Sequence, residues 1–172
     1  MISGGETLEA ISLSNDILDR SRSTDERDHL IEARVRMERA LLGVMGEGNV
    51  GTELRWCVDR LNAICPGSPL HGLALLNLAM WHSNKGELMM AMAVHSDIST
   101  NSGHPSDIRA LSRLEIARIL SGMGDLDPAM RHLWSARNGF IDSGMSPEAL
   151  VASLEWLDIA LDEVSANAPP WM

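Results

Sequence analysis

The chain has 172 residues, 45% of them apolar and 22% charged, with a formal charge of −10; that is enough apolar material for a buried core without disulfides or a metal. No apolar run approaches the roughly 20 residues of a membrane helix, and Met1-Ile2-Ser3-Gly4-Gly5-Glu6 lacks the basic start and apolar core of a secretory signal, so a cytoplasmic protein is the simplest expectation. The charge divides as 9 basic against 12 acidic residues in 1–86 and 5 against 12 in 87–172, a surface that repels phosphate backbones, argues against direct nucleic-acid binding and favours a basic partner or plain solubility.

No segment alternates β-branched and aromatic residues with period two; there is no tyrosine and one phenylalanine, Phe140. Apolar residues instead recur at three- and four-residue steps between clusters of Gly, Pro, Ser and Asp, which predicts eight helices. The first lies near 6–21 with Leu8, Ile11, Leu13, Ile17 and Leu18 as its apolar set. Thr24 caps a second near 25–46, and Gly46-Glu47-Gly48-Asn49 ends it. A third, near 51–64, carries Leu54, Val58, Leu61 and Ile64 and is closed by Pro66-Gly67-Ser68-Pro69. The fourth, 69–85, and the fifth, 87–99, are separated only by Lys85-Gly86-Glu87. Pro105 sits in the first turn of a sixth helix near 105–122, where its missing donor costs nothing, and Gly122-Met123-Gly124 stops it. The seventh occupies 126–139, and the eighth runs from Ser146-Pro147-Glu148 to about Ser165, leaving 167–172 as a tail. Short connections imply antiparallel neighbours, in a bundle or a stacked array.

Two stretches align at a spacing of 38 residues. Leu75-Leu76-Asn77-Leu78-Ala79 precedes Lys85-Gly86-Glu87-Leu88, then Ala91 and Ile98; Arg113-Leu114-Glu115-Ile116-Ala117 precedes Met123-Gly124-Asp125-Leu126, then Ala129 and Ala136. Periods of this size mark helical arrays. Small residues at 79, 91, 117 and 129 suit close helix crossings, and Gly86 and Gly124 suit left-handed turns between paired helices.

This pattern resembles the tetratricopeptide repeat. The resemblance implies an all-α chain whose antiparallel hairpins stack as a short right-handed superhelix within one domain, 1–166. The clearest repeats are 72–104 and 110–143, a weaker one is 34–66, and 147–165 is a capping helix. The lengthened link Asn101-Ser102-Gly103-His104 makes the array irregular. The first helix of each pair then lines a concave groove, with Leu73, Leu76, Met80, Ser83 and Asn84 in one repeat and Leu111, Leu114, Arg118, Ser121 and Gly122 in the next. Such a groove takes an amphipathic helix or an extended peptide, Arg118 gripping a carboxylate. The alternative is that the eighth helix or a second subunit covers the same residues as core. Asn84 is present but the family's accompanying lysines are not, so its basic clamp for a C-terminal carboxylate is not expected.

Other features read as structural. Cys57 and Cys65 would point to opposite faces of one helix and are expected to be buried thiols. Met80, Met89, Met90 and Met92 are expected to fill core. His82 and His95 fall at the family's aromatic packing positions and could face one another, without a third ligand for a metal. No GxSxG, P-loop, GxGxxG or HExxH motif occurs, so no enzyme activity and no cofactor is expected. Trp156 lies away from Leu150, Leu154, Leu157 and Leu161 and is expected to be an exposed contact anchor. The functional expectation is an adaptor binding a protein or peptide at Leu73, Leu76, Met80, Asn84, Leu111, Leu114, Arg118 and Trp156, or pairing as a homodimer. The alternative is a sensor module whose groove holds a small effector.

Overall fold

The computed structural model describes residues 4–23, 27–43, 50–98 and 103–166. Eight helices form among them: α1 Gly4–Ser23, α2 His29–Leu41, α3 Val50–Ile64, α4 Pro69–Asn84, α5 Leu88–Ser96, α6 Ser106–Gly122, α7 Leu126–Asp142 and α8 Ser146–Ala166. No strand occurs among the described residues, and no helix there is long and apolar enough to cross a membrane.

The boundaries follow local chemistry, and three differ from the sequence expectation. Helix α2 begins at His29 because the Asp28 carboxylate accepts the Leu30 and Ile31 backbone N–H groups at 3.1 and 3.0 Å. Thr24 and Gly46-Glu47-Gly48-Asn49, the expected cap and terminator, lie outside the described residues, as does the tail 167–172. Pro105 precedes α6 instead of opening it: its ψ of 153° is extended, while its carbonyl accepts the Arg109 N–H at 3.1 Å. Helix α7 runs through Gly139 to Asp142, because the missing side chain lets α7 pass close to α6; a Cβ at 139 would lie 3.0 Å from that of Ala110.

The turns between paired helices are as the repeat suggested. Gly86 and Gly124 have φ of 76° and 85°. Each closes its helix with the same two bonds: Gly86 N–H to the Ser83 carbonyl and Glu87 N–H to His82, Gly124 N–H to Ser121 and Asp125 N–H to Leu120. Gly144, which the repeat did not flag, makes the same turn between α7 and α8, with its N–H on Ile141 and that of Met145 on Phe140.

Two cores result. Ala33, Met37, Ala40, Leu54, Cys57, Leu61, Ala74 and Leu78 fill the space among α2, α3 and α4. Ala110, Leu114, Ala117, Leu133, Ala136, Phe140, Ala149 and Ala152 fill that among α6, α7 and α8. A smaller cluster, Leu75, Ile98 and Ile108, joins the halves where α4 and α5 meet α6. Ala79, Ala91, Ala117 and Ala129 are all essentially inaccessible, which permits close crossings within α4–α5 and α6–α7.

The N-terminal half is also tied by charge. Glu32 of α2 is fully buried. It accepts hydrogen bonds from Arg27 at 2.7 and 2.6 Å, from Arg22 of α1 at 3.1 Å and from Arg36 at 3.4 Å. Arg36 continues the chain to Glu53 of α3 at 2.6 and 2.9 Å and lies 3.7 Å over the Trp56 ring. Arginine suits this role because its planar fork can bond one carboxylate while stacking on an aromatic face.

Two sequence expectations for soft residues are corrected. Met80 on α4 is exposed; on α5, Met89 and Met90 are exposed and Met92 half-buried, because that nine-residue helix buries only its Ala91–His95 side. Cys57 is buried, its thiol donating to the Ala33 carbonyl at 3.4 Å and pushed up to about 12 by burial. Cys65 is only half-buried at the turn after α3, where it accepts from the Ser68 hydroxyl at 3.2 Å; both thiols are free.

Candidate functional site

The residues expected to line a groove are distributed between core and surface. On α4, Leu73 is half-buried against the N-terminal core and Leu76 is half-buried against the Leu75–Ile98–Ile108 cluster. Met80 and Asn84, one turn apart further along α4, are exposed. On α6, Leu111 is half-buried and Leu114 is core. Met80 and Asn84 are therefore the exposed members of this set on α4.

Arg118 is exposed but engaged. Its guanidinium donates to Glu155 of α8 at 2.6, 3.1 and 3.2 Å and to Glu115 at 2.6 Å. Glu155, then Glu115, holds the guanidinium pKa above its ordinary value against the opposing effect of burial. The expected carboxylate grip is thus satisfied internally, and it latches α8 to α6. Beside it, Ala117, Ser121, Leu133, Asp158 and Ile159 complete a small cleft of about 190 Å³.

Trp156 is half-buried instead of exposed, and the leucines of α8 reverse the expected orientation. Ala149 and Ala152 are buried, with Trp156 and Ile159 packed against the same core. Leu150, Leu154, Leu157 and Leu161 face water, at 60%, 56%, 47% and 63% exposure. The alanine side lets α8 approach α7 closely, which a leucine side would prevent. Trp156 meets Trp134 of α7 with ring centroids 6.0 Å apart. Arg137 lies 5.0 Å from the Trp134 ring and donates to the Ser153 hydroxyl at 3.2 Å. A cleft of about 240 Å³ opens there between α7 and α8, bounded by both tryptophans, Arg137, Ser153 and Leu157.

The histidines divide into three arrangements. His82 and His95 are both buried but do not pair: His82 Nδ1 meets Glu87 Oε2 at 2.6 Å, and His95 Nδ1 meets the Ser112 hydroxyl at 3.1 Å across α5–α6. Burial depresses His95 to about 4, so it is a neutral strut, and Ser112 beside it is 1% exposed, leaving no approach for a substrate. His71 and His104, which sequence reasoning left as scattered, stack at 5.0 Å between centroids. They line a cavity of about 420 Å³ with Val58, Asp59, Asn62, Leu75 and Asp97. His71 Nδ1 accepts the Gly67 N–H at 3.2 Å, so its neutral ring carries the proton on Nε2. Burial and then His104 lower its pKa, while Asp97 opposes the shift. No spacing signal relates positions 71 and 104; the packing of α6 against α4 brings them together.

Among the described residues, no group of three or more His, Cys, Asp or Glu side chains is spaced to hold a metal ion. Comparison with protein-family models, with curated proteins and with solved structures finds no match to this chain.

Proposed function

We propose that the chain is a non-catalytic interaction module of the tetratricopeptide type, an adaptor that holds a protein partner. The observation that carries this reading is the large apolar side chains left in water on helices: Met80 at 50%, Trp134 at 52% and the α8 leucines between 47% and 63%. Exposed apolar side chains on helices, with tryptophan and arginine beside those of α8, are the composition of contact sites. The repeat reading is supported by the buried alanines 79, 91, 117 and 129, by the matching turns at Gly86 and Gly124, and by α6 meeting both α4 and α5. With a formal charge of −10, a basic segment is the favoured partner.

The α4 face is tested by affinity capture with the full chain against Met80→Arg with Asn84→Arg. Both side chains are exposed, so the fold is unaffected; Leu76 and Arg118 are poor probes because one packs inside and the other holds α8. Loss of a discrete partner, by about tenfold or about 1.4 kcal/mol, is the expected result. Equal capture by both proteins removes the α4 face as the site, and capture of nothing by the wild type removes the adaptor reading.

A second reading, a regulatory module holding a small effector, draws on the His71–His104 cavity. Its volume of about 420 Å³ is that of a small-molecule site, and two carboxylates beside a neutral imidazole suit an organic amine. Titration with a short alkyl diamine should shift the His71 and His104 ring resonances saturably, and less so in Asp97→Asn. Unmoved resonances would sink this reading.

A further inference from the structure

Leu150, Leu154, Leu157 and Leu161 advance along α8 in steps of four, three and four, the alternating spacing of heptad d and a positions and so the seam of a helix that pairs with another helix. No described element covers it, since the buried face of α8 is the Ala149–Ala152 side. We infer that a second copy of this chain covers it, with the two α8 helices lying parallel about a two-fold axis. The inference rests on reading the chain as an interaction module and names the partner at one of its surfaces.

Register and charge select both the partner and the direction. In heptad terms Leu150 and Leu157 take d, and Leu154 and Leu161 take a. The seam then has two unlike edges. Ser153 and Ala160 form the g edge, with Arg137 of α7 held against Ser153 at 3.2 Å. Val151 and Asp158 form the e edge. In a parallel pair each g residue approaches the e residue five positions on in the other helix. That sets Ser153, with the Arg137 guanidinium, against Asp158 of the second copy, and the two-fold axis repeats the contact. An antiparallel pair instead brings e to e and g to g: acid edge to acid edge, arginine to arginine.

The size of the surface sets the strength. Leu150 to Leu161 spans roughly 17 Å of helix, and exposed Trp134 with the cleft beside Leu157 extends the apolar area at the g edge. A stable interface takes roughly 800 Å² from each partner; a seam this short falls at the weak end, giving a dimer that dissociates in the micromolar range. Because each chain carries −10, salt should tighten the pair by screening the two bodies from each other. A basic helix bound to the same face would loosen instead.

Sedimentation velocity on the full chain, over about two decades of concentration around the micromolar range, tests this. The expected result is a rise from 18.8 kDa towards twice that mass, stronger at high salt. Leu154→Glu with Leu157→Glu should stay monomeric with an unchanged helical spectrum, because both side chains already stand in water. Arg137→Asp or Asp158→Arg alone should weaken the dimer by about tenfold, two like-charge contacts replacing two ion pairs. The two reversals together should restore it, which loss of the Arg137–Trp134 contact alone would not do. A chain monomeric throughout, or a dimer indifferent to the leucine changes, overturns the pairing; a double reversal that fails to restore it overturns the parallel arrangement. A monomer that still captures a partner through Met80 and Asn84 removes the self-pairing alone and leaves the adaptor reading standing. A monomer that binds a basic leucine-bearing peptide through α8, more weakly as salt rises, assigns the face to another protein.

Discussion

Replacing Phe140 with alanine is expected to remove about 3–5 kcal/mol of stability, the largest single-residue loss in the C-terminal half. The ring is fully buried in the core shared by α6, α7 and α8. Its neighbours there include Ala110, Ala136, Ala149 and Ala152, which are too short to collapse into the space an alanine would leave. The loss combines lost transfer energy with a cavity that the backbone cannot close. Phe140→Leu keeps most of the volume and should cost less than about half as much. Urea unfolding followed by circular dichroism gives the two values. Hydrogen exchange should place the damage: α6–α8 lose protection while α2–α4 keep theirs, because the described links between the cores are small, the Leu75–Ile98–Ile108 cluster with the His71–His104 stack and the His95–Ser112 hydrogen bond. Uniform loss of protection would show one cooperative core instead of two.

The helices were legible because their ends are written in local chemistry. Gly86 and Gly124 could be assigned left-handed turns from the sequence alone, since only their spacing against Ala79, Ala91, Ala117 and Ala129 was needed. Gly139, inside α7, shows the opposite case. Its role is set by Ala110, which passes 3.0 Å from where its Cβ would stand, and that neighbour is 29 positions away in the chain. The facing of α8 was not legible either. Hydrophobicity ranks a leucine stripe above one of alanine with tryptophan, so the leucines were expected inside; the close crossing with α7 selects the smaller side chains. The groove set was fixed by a family pattern that carries no information on which surfaces this chain satisfies internally. Arg118 shows the limit, because Glu155 lies 37 residues away on another helix. The His71–His104 pair depends in the same way on how α6 meets α4.

Replacing Glu32 with alanine should destabilise the N-terminal half by on the order of 2–3 kcal/mol. This is below the roughly 3–5 kcal/mol of a fully enclosed pair, because Arg22 and Arg27 stay partly in water. The buried carboxylate is the common acceptor for arginines from three places in the chain, and its removal leaves Arg36 with Glu53 alone. The pH dependence identifies the interaction. The Arg27 hydrogen bonds, helped by Arg22 and opposed by burial, hold Glu32 at about 2, below the ordinary 4.5. A depressed acid stabilises the fold above its unfolded value, and that stability is lost as pH falls through 4.5 towards 2. His95 acts in a separate window. Its pKa is lowered to about 4 by burial, so the unfolded chain takes up its proton first and stability already declines from 6.5 towards 4 on acidification. Glu32→Gln should therefore leave the slope above pH 4.5 unchanged and flatten it below, whereas an unaltered slope below 4.5 would show that the arginines do not stabilise the ionised carboxylate. Mutation of His95 should move only the upper window, since its partner Ser112 is uncharged and lies across α5–α6, far in sequence from the arginine cluster.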